Sequence, residues 1–267
     1  MKYLKPKNIE EAIGFIKEYS EFYLFCGGTD LALKVKNSSI DGVIDISLLS
    51  ELDFITKTDS MIKIGALSTI STILEDENIS KYLPILKSAS SEFASHQIRN
   101  IATIGGNIAN DSPVADMIAP LLVLDASVTL IGFNGERTIA LADLFDGFKS
   151  LTLENEIIAS INISLKEHEY YYRKVGVRAK LNISKLSLAM IKSADGFCLS
   201  GASVNPYTMR FSNLEELLNR GKFSNDEILD ALSKDISPSG SYRSTKEYRT
   251  QVMLNMIKEA LRGFKSE

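Results

Sequence analysis

Two short segments of this sequence have the residue types to hold a phosphorylated ligand. Gly27-Gly28-Thr29-Asp30 follows the apolar run Tyr23–Cys26, and Gly105-Gly106-Asn107 follows Thr103-Ile104. Consecutive glycines adopt positive φ readily and let a ligand come close to the backbone. Their N–H groups, with the start of a helix beside them, would cradle a diphosphate without any lysine. Neither segment contains Lys or Arg, and neither fits G-x-G-x-x-G or the P-loop pattern. Each pair taken alone is more often a plain turn; two in one chain, each with polar partners directly following, shift the balance toward a ligand. Other chemistries find less support. Cys26 and Cys198 stand far apart and outside any C-x-x-C, which argues against an iron–sulfur cluster or zinc site of the chain's own. Two histidines rule out the common His-rich metal sites, and no residue pattern marks a general base.

Periodicity and capping residues show which elements must position these segments. Tyr23–Cys26 reads as a buried strand feeding the first glycine loop, and Leu31–Lys36 as the helical turn after it. Upstream, Asn8–Glu18 reads as an amphipathic helix, with Asn8 as cap, Glu11 in the capping-box position and Ile9, Ala12, Ile13 and Ile16 on one face. Gly42–Ile46 and Met61–Ala66 are strand-like. A helix capped by Ser68 is expected between Leu67 and Asn78, and another over Pro84–Phe93. Ile101–Asp116, which contains the second glycine pair, reads as a loop dense in Gly, Asn, Ser and Pro, and Met117–Leu124 as a buried helix. Strand-like runs on either side of Asn134-Gly135 predict a hairpin with a type I′ turn. Composition shifts after Glu167. Glu169–Arg178 reads as a strand with aromatics and alternating basic residues, and Leu186–Val204 as two strands joined by Ala194-Asp195-Gly196. Asn213–Asn219, Asn225–Ser233 and Thr245–Gly263 read as helices, the last with Val252, Met256 and Ala260 on one stripe. The whole implies an α+β protein, with a first domain over 1–168 and a smaller domain of β-meander plus helices over 169–267.

Composition bounds the class. The 267 residues are 45% hydrophobic and 24% charged, with a mean hydropathy of +0.01, as in soluble globular proteins. A chain of this length buries roughly 70–75% of the surface it exposes when unfolded, so it needs neither metal nor disulfide to fold. With 16 Gly and 6 Pro it is far from disordered or collagen-like composition. A formal charge of −4 and a pI of about 5.4 argue against a general nucleic-acid binder, while leaving room for a local basic patch. Charges at Lys2, Lys5, Lys7, Glu10 and Glu11 break the apolar core that a signal peptide needs. The most apolar stretch, Met117–Phe133, is interrupted by Pro120 and Asp125 and is shorter than a bilayer span of about 20 residues. A cytoplasmic, reduced protein without membrane contact is the expectation.

The glycine segments and their surroundings resemble a known family. FCGGTDLALKVK (Phe25–Lys36) is similar to the first cofactor loop of the FAD-binding subunits of molybdenum hydroxylases, such as the flavin subunit of xanthine dehydrogenase and the medium subunit of aerobic carbon monoxide dehydrogenase. IRNIATIGGNIANDSPVADMIAPLLVLDASVTL (Ile98–Leu130) resembles their longest signature, and IKIGALSTI their intervening G-A-x-x-T segment. RKVGVR, LSGASVNPYTMR and SYRSTKEYR resemble their smaller C-terminal domain, so the resemblance covers nearly the whole chain. It implies a PCMH-type (vanillyl-alcohol-oxidase-like) fold in which two α+β subdomains hold FAD non-covalently, with a C-terminal domain beside the flavin. By match of position, the backbone of Leu24, Phe25, Cys26, Gly27, Gly28, Thr29, Asp30 and Leu31 would hold the diphosphate, as would that of Thr103, Ile104, Gly105, Gly106 and Asn107. Asp116 would accept hydrogen bonds from FAD hydroxyls, Phe93 would pack near the rings, and Ile158 and Lys174 would be later contacts.

The resemblance further implies a partner with [2Fe–2S] clusters, a partner with molybdopterin, and NAD⁺ as electron acceptor. Members of the benzoyl-CoA-reductase type carry an additional loop with several cysteines, and two isolated cysteines argue against that branch. Each residue assignment has a plainer rival. Asp116 could cap a helix, Asp30 could be a first-turn residue, Phe93 and Ile158 could be core, and Lys174 could be a solvated strand residue. His96 could suggest covalent flavin attachment but reads as structural, and Tyr170–Tyr172 reads as ring packing or inter-domain core. A stand-alone FAD oxidase or dehydrogenase, and a scaffold subunit that has lost flavin, are the alternatives in function.

Overall fold

Asparagine ahead of an apolar stripe starts a helix because its side chain can accept an otherwise unpaired N–H. In the computed structural model, which describes residues 1–37, 40–176, 183–242 and 244–264, Asn8 accepts the Glu11 N–H at 2.8 Å and opens α1 (Ile9–Glu18). The Glu11 carboxylate returns to the N–H of Lys7 rather than that of Asn8, so the expected capping box is only half formed. Strands β1 (Lys2–Leu4), β2 (Tyr23–Phe25) and β3 (Gly42–Asp45) make a small parallel sheet in the order β1-β3-β2, and α2 (Leu31–Asn37) lies between β2 and β3 in sequence.

A five-stranded antiparallel sheet follows: β4 (Ile55–Lys57), β5 (Met61–Gly65), β6 (Ser127–Gly132), β7 (Gly135–Ala140) and β8 (Ile157–Ser164), in the order β4-β5-β8-β6-β7. The chain between β5 and β6 supplies helices α3 (Ile70–Glu75), α4 (Glu77–Tyr82), α5 (Pro84–Glu92), α6 (His96–Arg99), α7 (Ile104–Ala109) and α8 (Ile118–Val123). Their apolar sides meet Ile62, Ile64, Leu130, Ile161 and Ile163 in the largest core cluster. Ile157 and Ala159 face the other way, toward Ala12, Ile16 and Ile44 beside the small sheet. A register shift against β6 at Thr129/Leu130 lets β8 serve both cores.

The last sheet, antiparallel, comprises β9 (His168–Gly176), β10 (Ser184–Ser193), β11 (Gly196–Ala202) and β12 (Met209–Arg210), in the order β12-β11-β10-β9. Leu186, Leu188, Met190 and Leu199 pack under α9 (Ser212–Asn219), α10 (Asn225–Asp235) and α11 (Lys246–Gly263). The opposite face, with Ala189, Ile191, Tyr172 and Cys198, joins the core of the five-stranded sheet. Tyr172 thus packs between the last sheet and the core of the five-stranded sheet, Tyr171 packs on the C-terminal helices and Tyr170 is exposed.

Three local expectations are corrected. Thr69, not Ser68, caps α3, because Ser68 is buried and its hydroxyl is spent on the Phe54 carbonyl at 2.9 Å. The second glycine pair lies inside a helix, α7, rather than in a loop. The 127–140 hairpin lacks a type I′ turn, since neither Phe133 nor Asn134 has positive φ and Gly135 takes +107° instead. Val177, Arg178 and Arg243 of the quoted motifs lie outside the described residues. Among the described residues, no helix is long and apolar enough to cross a membrane.

Candidate functional site

The first glycine loop is shaped by what it touches. A Cβ at Gly27 would overlap the Ile101 carbonyl, lying 2.8 Å from its carbon, so the loop rests directly on the backbone leading to the second glycine segment. Gly28 has φ +64° with the Phe25 ring against it, a conformation and a closeness that suit only glycine. The carbonyls of Gly28 and Asp30 accept the N–H groups of Ala32 and Leu33 at 3.0 and 3.1 Å, which starts α2. Among the described residues, the N–H groups of Gly27, Gly28, Thr29 and Asp30 have no protein acceptor. Backbone donors left without a partner are unusual and call for water or a ligand.

The second segment is built differently. Thr103 caps α7 by accepting the Gly106 N–H at 3.1 Å. The Ile104 N–H goes to Ser68 O at 3.1 Å, that of Gly105 to Ala66 O at 2.9 Å, and that of Asn107 to Thr103 O at 3.0 Å. This segment therefore does not offer the row of donors expected of it. Its glycines are required by packing: a Cβ at Gly105 would sit 2.6 Å from Ala66 Cβ, and one at Gly106 would sit 2.8 Å from Thr103 Oγ1 and 3.4 Å from Cys26 Sγ. Cys26 Sγ itself lies 3.3 Å from Thr103 Oγ1, so the two segments meet side chain to side chain.

Between them opens a cavity of about 500 Å³. Leu24, Cys26, Gly27, Gly28, Thr29, Asp30 and Leu31 line it from one side, Thr103, Gly105, Gly106 and Asn107 from another, and Phe93 and Ile158 complete the apolar wall. Phe93 and Ile158 also belong to the main core, so the cofactor and core readings coincide for them. Phe25 and Ile104 do not line the cavity: Phe25 packs on Gly28, and Ile104 is fully buried. His96 is exposed on α6 and lies outside the lining. Lys34, Asn110, Lys149, Leu153 and Glu156 line the cavity without having been singled out in the sequence. Lys34 had a signal, its i,i+4 spacing from Asp30, and the two pair at 2.9 Å. Glu156 pairs with Arg137 at 2.7 Å, which holds its carboxyl below the usual range.

Asp116 and Lys174 form a separate buried group. Lys174 Nζ is 2.6 Å from Asp116 Oδ2 and 3.0 Å from the Glu92 carbonyl, with the two side chains 3% and 11% exposed. Lys174 is therefore not a solvated strand residue, and Asp116 is not a helix cap, since Met117 occupies that position on α8. Burial pushes the Asp116 carboxyl up to about 6, against the pull of Lys174 and with help from Glu92. Its other oxygen, Oδ1, is buried without a hydrogen-bond partner. Tyr172 beside it is raised well above the usual phenol range, by burial and then by Asp116.

Comparison with known proteins agrees with this geometry. Residues 1–165 match the family described as FAD binding domain in molybdopterin dehydrogenase, and residues 170–264 match the CO dehydrogenase flavoprotein C-terminal domain. The nicotinate dehydrogenase FAD-subunit of Eubacterium barkeri is 34% identical over 81% of this chain and 79% of its own length. The xanthine dehydrogenase FAD-binding subunit of Escherichia coli O157:H7 is 28% identical over 97% and 94%. A chain of the carbon monoxide dehydrogenase from Hydrogenophaga pseudoflava superposes with a TM-score of 0.92 at 26% identity, covering 98% of this chain and 96% of that one. With both halves matched and the α+β fold shared, the chain belongs to the FAD-binding subunits of the molybdenum hydroxylases and is an oxidoreductase subunit.

Proposed function

We propose that the chain holds FAD non-covalently in the cavity between its two glycine segments, and that it is the electron-transfer subunit of a molybdenum hydroxylase complex. The observation that carries this reading is the row of N–H groups from Gly27 to Asp30, which have no protein acceptor and border the cavity. A diphosphate is stabilised by such a row without any lysine. The rest of the site fits the same group. Gly105 and Gly106 keep one wall low, Leu24, Phe93 and Ile158 offer apolar sides to a flat ring, and Thr103 and Asn107 add polar side chains. Asp116 and Lys174 lie outside the cavity lining; in this reading the partnerless Asp116 Oδ1, oriented by Lys174, becomes an acceptor for a cofactor hydroxyl only through a local adjustment that opens it to the cavity. Phe25 and Ile104 act from behind the wall, supporting Gly28 and α7. Bound FAD supplies hydride and single-electron chemistry. The protein's own contribution is to orient, to exclude water and to hold hydrogen bonds; no side chain has to act as a general base.

In this reading a small partner carries the [2Fe–2S] clusters and a large one the molybdopterin. Electrons arrive from the clusters and leave to NAD⁺ or another acceptor. Two cysteines in the sequence are too few for the Cys₄ ligation of such a cluster, which supports placing it elsewhere. Relatives named FAD subunits and medium chains of dehydrogenases support the same division of labour. We also infer that the chain divides into domains at residues 168/169, one residue into β9, the first strand of the last sheet. The purified chain should be yellow, and acid or heat should release FAD rather than FMN. A colourless protein that also fails to bind added FAD overturns the reading. Purification from the native host should recover both partners; a catalytically complete homo-oligomer would contradict the subunit role.

A further inference from the structure

We propose that Lys149 is the counter-ion for a dinucleotide diphosphate at the cavity, an assignment that rests on the FAD reading above. The charged side chains among the described residues that line the cavity are Asp30, Lys34, Lys149 and Glu156. Lys34 is taken up by Asp30 at 2.9 Å and by Asn110 Oδ1 at 3.0 Å, and Glu156 by Arg137 at 2.7 Å. Lys149 has no carboxylate at ion-pair distance among the described residues; its ammonium lies 5.9 Å from the Phe148 ring centroid. Of the charged side chains that line the cavity, the one without an ion-pair partner among the described residues is thus a cation, felt by the buried Asp111 carboxyl but not paired with it, and the N–H dipoles of Gly27 to Asp30 add to it. In a chain of formal charge −4, that local imbalance favours an anion with more than one negative charge.

The position of Lys149 is fixed by more than its side chain. It lies on a tight hairpin between Leu144 and Leu151, closed by the Phe145/Leu151 bridge, Asp146 N–H to Ser150 O at 2.9 Å and Thr152 N–H to Leu144 O at 2.9 Å. Its φ is +53°, a region that Gly, Asn and Asp adopt routinely and lysine rarely. Beneath the hairpin is Asp111, itself at φ +40° and 2% exposed. The N–H groups of Lys149 and Ser150 face the Asp111 carboxylate without closing hydrogen bonds of normal geometry. Asp111 directly follows the end of α7, so the helix that carries Gly105 and Gly106 also sets where Lys149 stands. The first loop supplies donors from the backbone; this hairpin supplies a cation that neither glycine segment contains.

The diphosphate could belong to FAD or to a nicotinamide dinucleotide acceptor, and one set of titrations separates them. The charge-removing variant is Lys149→Asn, since asparagine tolerates positive φ and the hairpin is kept; Lys149→Arg keeps the charge. In the full-length chain freed of flavin, Lys149→Asn is expected to weaken FAD binding about ten- to a hundredfold, the loss of one hydrogen bond to a charged group. Riboflavin, which has no phosphate, should bind equally to both proteins, and Lys149→Arg should restore FAD affinity. If FAD affinity is unchanged while NAD⁺ binding to the flavin-loaded chain weakens by that factor, the cation serves the acceptor's diphosphate. Unchanged affinity for both dinucleotides, or an equal loss for riboflavin, overturns the assignment and leaves the FAD reading standing. Failure of the wild-type chain to bind FAD overturns the FAD reading and this assignment with it.

Discussion

Replacing Asp116 by Asn should alter the pH dependence of the chain's stability in a direction that tells which of two forces governs this carboxyl. Burial raises its pKa and Lys174, 2.6 Å away, lowers it; burial wins, and the value is pushed from 3.8 up to about 6. A carboxyl with a raised folded pKa holds its proton more tightly when folded. Its contribution to stability is therefore complete below the unfolded value and is lost as pH rises through the folded value. At about 1.4 kcal/mol per pH unit, a rise from 3.8 to about 6 corresponds to about 3 kcal/mol lost between those limits. Asparagine keeps the shape and does not titrate. The stability of wild type minus that of Asp116→Asn should thus fall by up to about 3 kcal/mol between about pH 4 and pH 7. Urea unfolding of the FAD-free chain at several pH values gives this difference, and titrations common to both proteins, such as the lowered Asp45 and Glu156, cancel in it. A difference that stays constant would show that Lys174 cancels burial, and one that grows in favour of wild type as pH rises would show that Lys174 outweighs it; either refutes the raised value.

The glycines and one arginine give further tests. Gly27→Ala should destabilise the chain and weaken FAD retention together, because the added Cβ overlaps the Ile101 carbonyl; unchanged thermal unfolding would disprove that contact. Gly106→Ala should cost about 1 kcal/mol by disturbing the Thr103 cap, read as a lower unfolding midpoint. Arg210 donates to Glu215 at 2.6 and 2.8 Å, to Asp125 at 2.5 Å and to the Leu122 carbonyl at 3.2 Å. Arg210→Met leaves the largely buried carboxylate of Glu215 with the Leu199 N–H but no cation and should cost roughly 3 kcal/mol in denaturant titration; a loss under about 1 kcal/mol would mean the network is solvent-screened.

What the sequence showed and what it hid follow from how local each cause is. Asn8 was legible as a cap because a cap needs only its own turn. Ser68 misled, because its hydroxyl is claimed by Phe54, a residue placed next to it only by the fold. The second glycine pair discouraged a helix on propensity, yet α7 forms because Ala66 and Ser68 accept its first N–H groups and Ala66 leaves no space for side chains there. The first half of the site was readable since strand, glycines and helix are contiguous. Lys149, Asn110 and Glu156 reach the cavity from three other places in the chain, and nothing in their neighbours' spacing points to it. The rival reading of Lys174 as a solvated residue failed for a related reason: alternation along β9 shows two faces, but not that both are covered.

That second covered face explains why the C-terminal sheet cannot be treated as an attachment to a finished FAD site. Four of its polar ties to the first half land on one stretch, beside the bond from Lys174 to the Glu92 carbonyl and that between Ser88 and Tyr170. Ser203 N–H reaches the Pro113 carbonyl at 2.7 Å, Lys174 reaches Asp116, and Arg210 reaches Leu122 and Asp125. The same stretch begins at Asn110, which bonds Lys34, and at Asp111 under the Lys149 hairpin. One end of it therefore borders the cavity while the other is held by the last sheet. Without that sheet, Asp116 would lose the cation that offsets its burial, and the Leu122 carbonyl at the end of α8 would lose its donor from Arg210. The 110–125 segment is kept in place from both sides, so the cavity owes its shape to β9–β12 even though none of their residues lines it.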